Sequence, residues 1–75
     1  MTYDVRISDR AFSYLERLDR STQHRILDRL EQIASDPFGY YTKPLSNARG
    51  MRSSRVGNWR IVFSVNDTER IVDVS

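Results

Sequence analysis

Between Tyr3 and Ile7 apolar and charged residues alternate, with Tyr3, Val5 and Ile7 on one side and Asp4 and Arg6 on the other. A period of two predicts a half-buried strand. Ser8 then offers a side-chain oxygen for a helix N-cap, and Asp9 suits the positive end of the helix dipole. Ala11, Leu15 and Leu18 follow at helical spacing, flanked by Phe12 and Tyr14. Asp19-Arg20-Ser21-Thr22 interrupts this short helix and can cap another. In the second helix Ile26, Leu27, Leu30, Ile33 and Ala34 form one apolar stripe, while Arg25, Asp28, Arg29, Glu31 and Gln32 fill the other side. Ser35-Asp36-Pro37 ends it, because the residue before a proline is pushed out of helical geometry. Two amphipathic helices joined by a few residues predict an antiparallel helical hairpin.

A loop follows from Phe38 to about Gly50, punctuated by Gly39 and Pro44, with Tyr40 and Tyr41 expected to cover the edge of the core. From Met51 the period returns to two. Trp59, Ile61, Phe63 and Val65 share one face, and Arg60, Val62 and Ser64 share the other. Asn66-Asp67-Thr68-Glu69 supplies a turn, taken with Asp67 and Thr68 at its centre, and Ile71, Val72 and Val74 continue in a last strand. The order β-α-α-β-β-β predicts an α+β fold, a helical hairpin packed on one face of a small, largely antiparallel sheet. The bulky Trp59 face should meet the helices, which leaves the Arg60 face open.

Residues 1–75 allow a single domain, and a chain this short buries only about 60% of its unfolded surface, so a partner would help its small core. With no cysteine and one histidine, His24, neither a disulfide framework nor a thiolate metal site can form, and no cofactor is called for. The charged N-terminus lacks the apolar core of a signal peptide, and no apolar run approaches the roughly 20 residues that span a bilayer. A cytoplasmic protein is expected. The net charge of +2 is unevenly spread: Lys43, Arg49, Arg52, Arg55 and Arg60 lie together with no acidic residue among them, whereas the remainder is net acidic. A localised basic stretch is the footprint of a phosphate-binding surface, and equally that of a solvated arginine-rich loop.

The tightest turn is Val56-Gly57-Asn58-Trp59, where glycine at the first central position suits a two-residue type II′ loop. In that register Val56 faces Trp59, Arg55 faces Arg60 and Ser53 faces Val62. Like charges directly opposite one another are destabilising, so folding alone gives no reason for the arginine pair. Two readings stand side by side. Either an anion lies between the guanidiniums, a phosphodiester being the natural one, or each pairs with a carboxylate, with Asp73 set diagonal to Arg60. The same register puts Arg52 and Ser54 on the core face, which requires a late strand start, a bulge, or an Arg52 that reaches past the sheet edge.

The segments LDRSTQHRILDRLEQIASDP, KPL and RGMRSSRVGNWRIVFSVND resemble RelE-type toxins of the RelE/ParE superfamily over nearly the whole chain. The most specific element is the pattern R-x-G-x-x-R-I-V-F, here Arg55 to Phe63. The resemblance implies the β-α-α-β-β-β fold, a type II toxin–antitoxin pair with a RelB-like antitoxin, and a toxin that cuts mRNA in the ribosomal A site. Arg60 matches the strand arginine that contacts the scissile phosphate, and Arg55 falls near a basic position of the preceding strand. Lys43 matches the lysine of the K-P-L loop and is assigned RNA contact from its charge, as are Arg49 and Arg52. Ser53 stands where the family often has a basic residue.

Family members usually continue past the last strand with basic residues and a tyrosine that assist proton transfer, whereas this chain stops at Ser75. The resemblance therefore implies a ribosome-dependent endoribonuclease with part of its active site missing and its activity impaired. His24, in the polar entry to the second helix, is expected to be a solvated helix residue. The alternative is a non-enzymatic toxin or remnant that binds antitoxin or, in the ParE manner, DNA gyrase. The antitoxin is expected to cover basic and apolar surface together.

Overall fold

The N-terminal alternation forms strand β1 (Asp4–Ile7), and Ser8 caps the helix that follows, α1 (Asp9–Glu16), its Oγ accepting the Ala11 N–H at 3.1 Å. This computed structural model describes residues 2–75. Asp19 caps α2 (Arg20–Ser35) by accepting the Thr22 backbone N–H at 3.1 Å and the Thr22 hydroxyl at 2.6 Å. Those bonds, the hydroxyl's first, stabilise the carboxylate and hold the Asp19 pKa below its ordinary 3.8. Asp36 leaves helical geometry at φ −154°, ψ 81°, as its place before Pro37 requires.

Four further strands complete the sheet: β2 (Lys43–Pro44), β3 (Met51–Val56), β4 (Trp59–Asn66) and β5 (Ile71–Val74). Their order is β1-β5-β4-β3-β2, with β1 parallel to β5 and every other pair antiparallel. The α+β fold expected from the sequence is the one observed, with one added strand. β2 lies inside the segment read as loop, because two residues are too few to show a period, and Pro44 is tolerated there because the strand is an edge.

The core lies between the helices and one face of the sheet. Ile26, Leu30 and Ile33 of α2 meet Val56, Ile61, Phe63, Val72 and Val74, and Tyr3 closes one side. Phe63, Ile33 and Val72 are fully excluded from water. Trp59 is half-buried at the margin, its ring edge-on to Tyr14 with centroids 5.6 Å apart.

Three details depart from the sequence reading. Leu27 is 44% exposed, since one residue beyond Ile26 turns about 100° away from the stripe that Ile26, Leu30 and Ile33 define. Tyr40, expected to cover the core edge, is 95% exposed and covers nothing, and Tyr41 is itself 49% exposed. The second turn is longer than expected: Arg70 takes a left-handed φ of 60°, and Asn66 folds back to accept the Glu69 N–H at 3.0 Å. Asn66 consequently faces Ile71 and Ser64 faces Asp73. Below this turn the Tyr3 hydroxyl donates to the Asp67 carboxylate, which raises the phenol pKa above 10.0, and the Arg70 guanidinium lies 4.4 Å over the Tyr3 ring. Among the described residues no helix is long and apolar enough to cross a membrane.

Candidate phosphate-binding face

The β3–β4 hairpin turns on Gly57 at φ 58°, while Asn58 keeps a negative φ, which makes it the expected type II′ turn. The positive φ is what requires glycine here; a Cβ would lie 3.1 Å from the Arg25 guanidinium, the far end of an exposed side chain that can move aside. Pairing runs without a bulge from Val56–Trp59 through Arg55–Arg60 and Ser53–Val62 to Met51–Ser64.

Arg55 and Arg60 therefore stand opposite one another on the face turned away from the helices, both exposed, with Cβ atoms about 4.5–5.5 Å apart. Arg55 Nε donates to the Gly57 carbonyl at 3.2 Å, a neutral partner that leaves its charge uncompensated. Lys43 pairs with Ser53 and, also exposed, joins the same face from β2. Ser53, in the row between Lys43 and Val62, is only 2% exposed.

The diagonal placement of Asp73 beside Arg60 is not observed. The longer second turn moves it opposite Ser64 and beside Arg6 of β1, four residues and about 13 Å along the strand from Arg60. The carboxylate proposed as the pair's structural partner is therefore out of reach.

Arg52 is on the other face, and of the three resolutions the sequence allowed, the structure takes the third. Its guanidinium reaches past the sheet edge to the Pro37 carbonyl at 3.1 Å and the Thr42 hydroxyl at 2.8 Å, and lies 5.1 Å over the Phe38 ring. Beside it Ser54 is buried, donating to the Tyr41 carbonyl at 2.6 Å and accepting from Arg29 at 2.9 Å. Arg29 also holds the Arg55 carbonyl at 2.7 Å and stacks 4.6 Å over Tyr41. Sequence reasoning missed Arg29; the signal was Ser54 itself, a hydroxyl on the core face that needed partners. Arg49 lies in the connection between β2 and β3, outside the Arg55–Arg60 row, and His24 is exposed on α2.

Beside the arginine pair a groove of about 690 Å³ opens between α1 and the start of β4. Tyr14, Leu15, Trp59, Ile61 and Val74 give it apolar walls, and Arg10 and Arg60 add charge. The last bond from the β5 side is Ser75 N–H to the Val62 carbonyl at 2.9 Å, and the groove begins where that pairing stops.

Comparison with known proteins adds the following. The sequence model of the ParE toxin of type II toxin–antitoxin systems matches residues 5–75. No curated protein matches the chain. Among solved structures, the RelBE2 toxin–antitoxin complex of Mycobacterium tuberculosis superposes with a TM-score of 0.87 at 22% identity, over 99% of this chain and 93% of that one. The archaeal RelE–RelB complex of Pyrococcus horikoshii gives 0.84 at 22% identity, over 99% and 90%. A double arginine-to-alanine mutant of Escherichia coli RelE in the free state gives 0.82 at 18% identity, over 99% and 79%. At these identities the likeness is one of fold.

Proposed function

We propose a function from this premise: the chain belongs to the ParE toxin family of type II toxin–antitoxin systems, within the RelE/ParE superfamily. Within that family it acts as an mRNA endoribonuclease on the translating ribosome, which makes it a cytoplasmic protein. The observation that carries this reading is the Arg55–Arg60 pair, two exposed like charges held face to face on an uncovered sheet. An RNA phosphate between them converts a repulsive arrangement into a clamp of charge-assisted hydrogen bonds.

In this mechanism Arg60 contacts the scissile phosphate and Arg55 supports it. Their fixed positive charge is complementary to the charge that builds on the phosphate as the 2′-hydroxyl attacks. The two guanidiniums thus contribute charge and position. Lys43 extends the positive face along the RNA, with Arg49 in the adjoining connection. Arg52 acts through the loop it anchors, its guanidinium being engaged by Pro37 and Thr42.

The partner is a RelB-like antitoxin. The groove beside Arg60 offers apolar and basic surface together, and the two similar RelE-fold toxins described above were solved in complex with their antitoxins. A second reading, a non-enzymatic ParE-like toxin directed at DNA gyrase, is favoured by the family model that matches. Adding the purified chain to programmed ribosomes and to a gyrase supercoiling assay separates the two. Cuts in mRNA at the A site with supercoiling intact are expected. Inhibited supercoiling with intact mRNA would replace the first reading by the second.

A further inference from the structure

Gly57 is touched by two guanidiniums that belong to different layers of the molecule. Arg55 reaches it from β3, its Nε donating to the Gly57 carbonyl at 3.2 Å. Arg25 reaches it from α2, with its two terminal nitrogens and the carbon between them 3.1, 3.3 and 3.6 Å from where a Cβ would sit. Distances this similar lay the group nearly flat over the turn. Guanidinium N–H donors lie in the plane of the group, so those of Arg25 point sideways past the turn, into the water to which this residue is exposed. The two arginines come from opposite sides of the sheet. They meet because the free end of a hairpin can be reached from both.

The fold itself does not account for this gathering. Arg25 and Arg29 are four residues apart on α2, a spacing at which like charges repel. Arg29 is occupied by the Ser54 hydroxyl, the Arg55 carbonyl and the Gln32 side chain. Among the described residues no hydrogen bond engages Arg25, whose contact is the packing over Gly57. With the Arg55–Arg60 opposition, four guanidiniums surround a two-residue turn, and the groups they bond are neutral. Uncompensated charge of this kind concentrates anions. Arg25 differs from Arg29 in that its donors are unspent.

We propose that Arg25 binds a second phosphate of the RNA strand held between Arg55 and Arg60, so that the RNA backbone passes over the hairpin tip from the open face to the α2 side. This rests on the RNA-directed reading above and extends it from one phosphate to another along the same strand. Arg25 is then a binding residue that positions the strand from outside the arginine pair.

Binding of a fluorescein-labelled single-stranded RNA hexamer, followed by anisotropy across a salt series, tests this. The proteins compared are the native chain, Arg25→Ala, Arg25→Lys, Arg60→Ala, the Arg25→Ala/Arg60→Ala double variant and Arg20→Ala. Arg20 is an exposed arginine five residues earlier on α2 and about 140° round it. Arg25→Ala should melt no lower than the native chain, since it removes a repulsion. Arg25→Ala and Arg60→Ala should each reduce the slope of log K against log salt by about 0.7, and the double variant by about 1.4, as expected for one and two lost phosphate contacts. Arg25→Lys and Arg20→Ala should keep the native slope. A native slope in Arg25→Ala overturns the second contact, and a fall in Arg60→Ala beside it leaves the first reading standing. A double variant no lower than Arg60→Ala would put both arginines on one phosphate, and an equal fall in Arg20→Ala would reduce the effect to general charge; either overturns the proposal. A native chain that does not bind the hexamer overturns both readings. A native RNA slope with weakened capture of the cognate antitoxin in Arg25→Ala would assign Arg25 to an acidic protein segment and likewise overturn the proposal.

Discussion

Arg52 and Arg55 stand three residues apart on β3, and the molecule uses them in opposite ways. Arg52 belongs to the face that meets the helices, where its guanidinium is half-buried and bonded to Pro37 and Thr42. Arg55 belongs to the other face, where it is exposed and set against a second arginine. The same side chain is a structural tie on one side of the sheet and an unneutralised charge on the other. What separates them is the partners within reach: the core side offers Arg52 the Pro37 carbonyl and the Thr42 hydroxyl, whereas on the open face Arg55 stands against Arg60 and, among the described residues, bonds to the Gly57 carbonyl. A basic stretch in a sequence is therefore two populations once folded, and only one of them is free to meet an anion.

Substitutions on the two faces should separate stability from function. The largest loss is expected at Phe63, which is fully buried on the helix side of β4. Phe63→Ala should cost about 3–5 kcal/mol, most of the stability of a domain this small, read by urea denaturation. Arg52→Ala should cost about 1.5–3 kcal/mol by removing the charged hydrogen bonds to Pro37 and Thr42, and Arg52→Lys should not restore it, since one ammonium cannot span the two with the same fork. An Arg52→Ala protein as stable as the native one would erase the distinction between the two arginines.

At the far end of the sheet the Tyr3–Asp67 bond should appear as a pH effect. Because the folded-state phenol pKa is raised above 10.0, its contribution is complete below that pH and is lost as pH rises through the folded value. Thermal melts should fall more steeply above pH 10 in the native chain than in Tyr3→Phe. The smallest effect is expected at Arg55: Arg55→Thr removes a like-charge opposition and should raise stability by about a few tenths of a kcal/mol while weakening RNA binding. A destabilised Arg55→Thr would mean the pair is not repulsive in the free protein.

The features legible from sequence are those fixed by neighbours in the chain. Ser8 and Asp19 as caps, Asp36-Pro37 as a helix stop, and Gly57 as the pivot that sets Arg55 against Arg60 each depend on a few adjacent residues. The features that escaped depend on distant ones. Nothing near Arg70 announces a left-handed backbone, since an arginine rarely takes one, yet that residue's φ of 60° shifts β5 and carries Asp73 away from Arg60. Arg29 and Arg52 look like solvated charges until the loop from Pro37 to Thr42 folds over them. Tyr40 and Tyr41 look alike as neighbours, and only the packing of Arg29 distinguishes a backed ring from an open one.

The central claim is that Arg60 acts on an mRNA phosphate without holding the fold together. It is tested most directly by mapping mRNA ends on programmed ribosomes after addition of the native chain or Arg60→Ala, with the melting temperature of each measured in the same buffer. The account predicts A-site cuts from the native chain, a loss of about 10²- to 10³-fold in Arg60→Ala, and a melting temperature for Arg60→Ala no lower than that of the native chain. Equal cutting by the two proteins, or no cutting by the native chain, would contradict it.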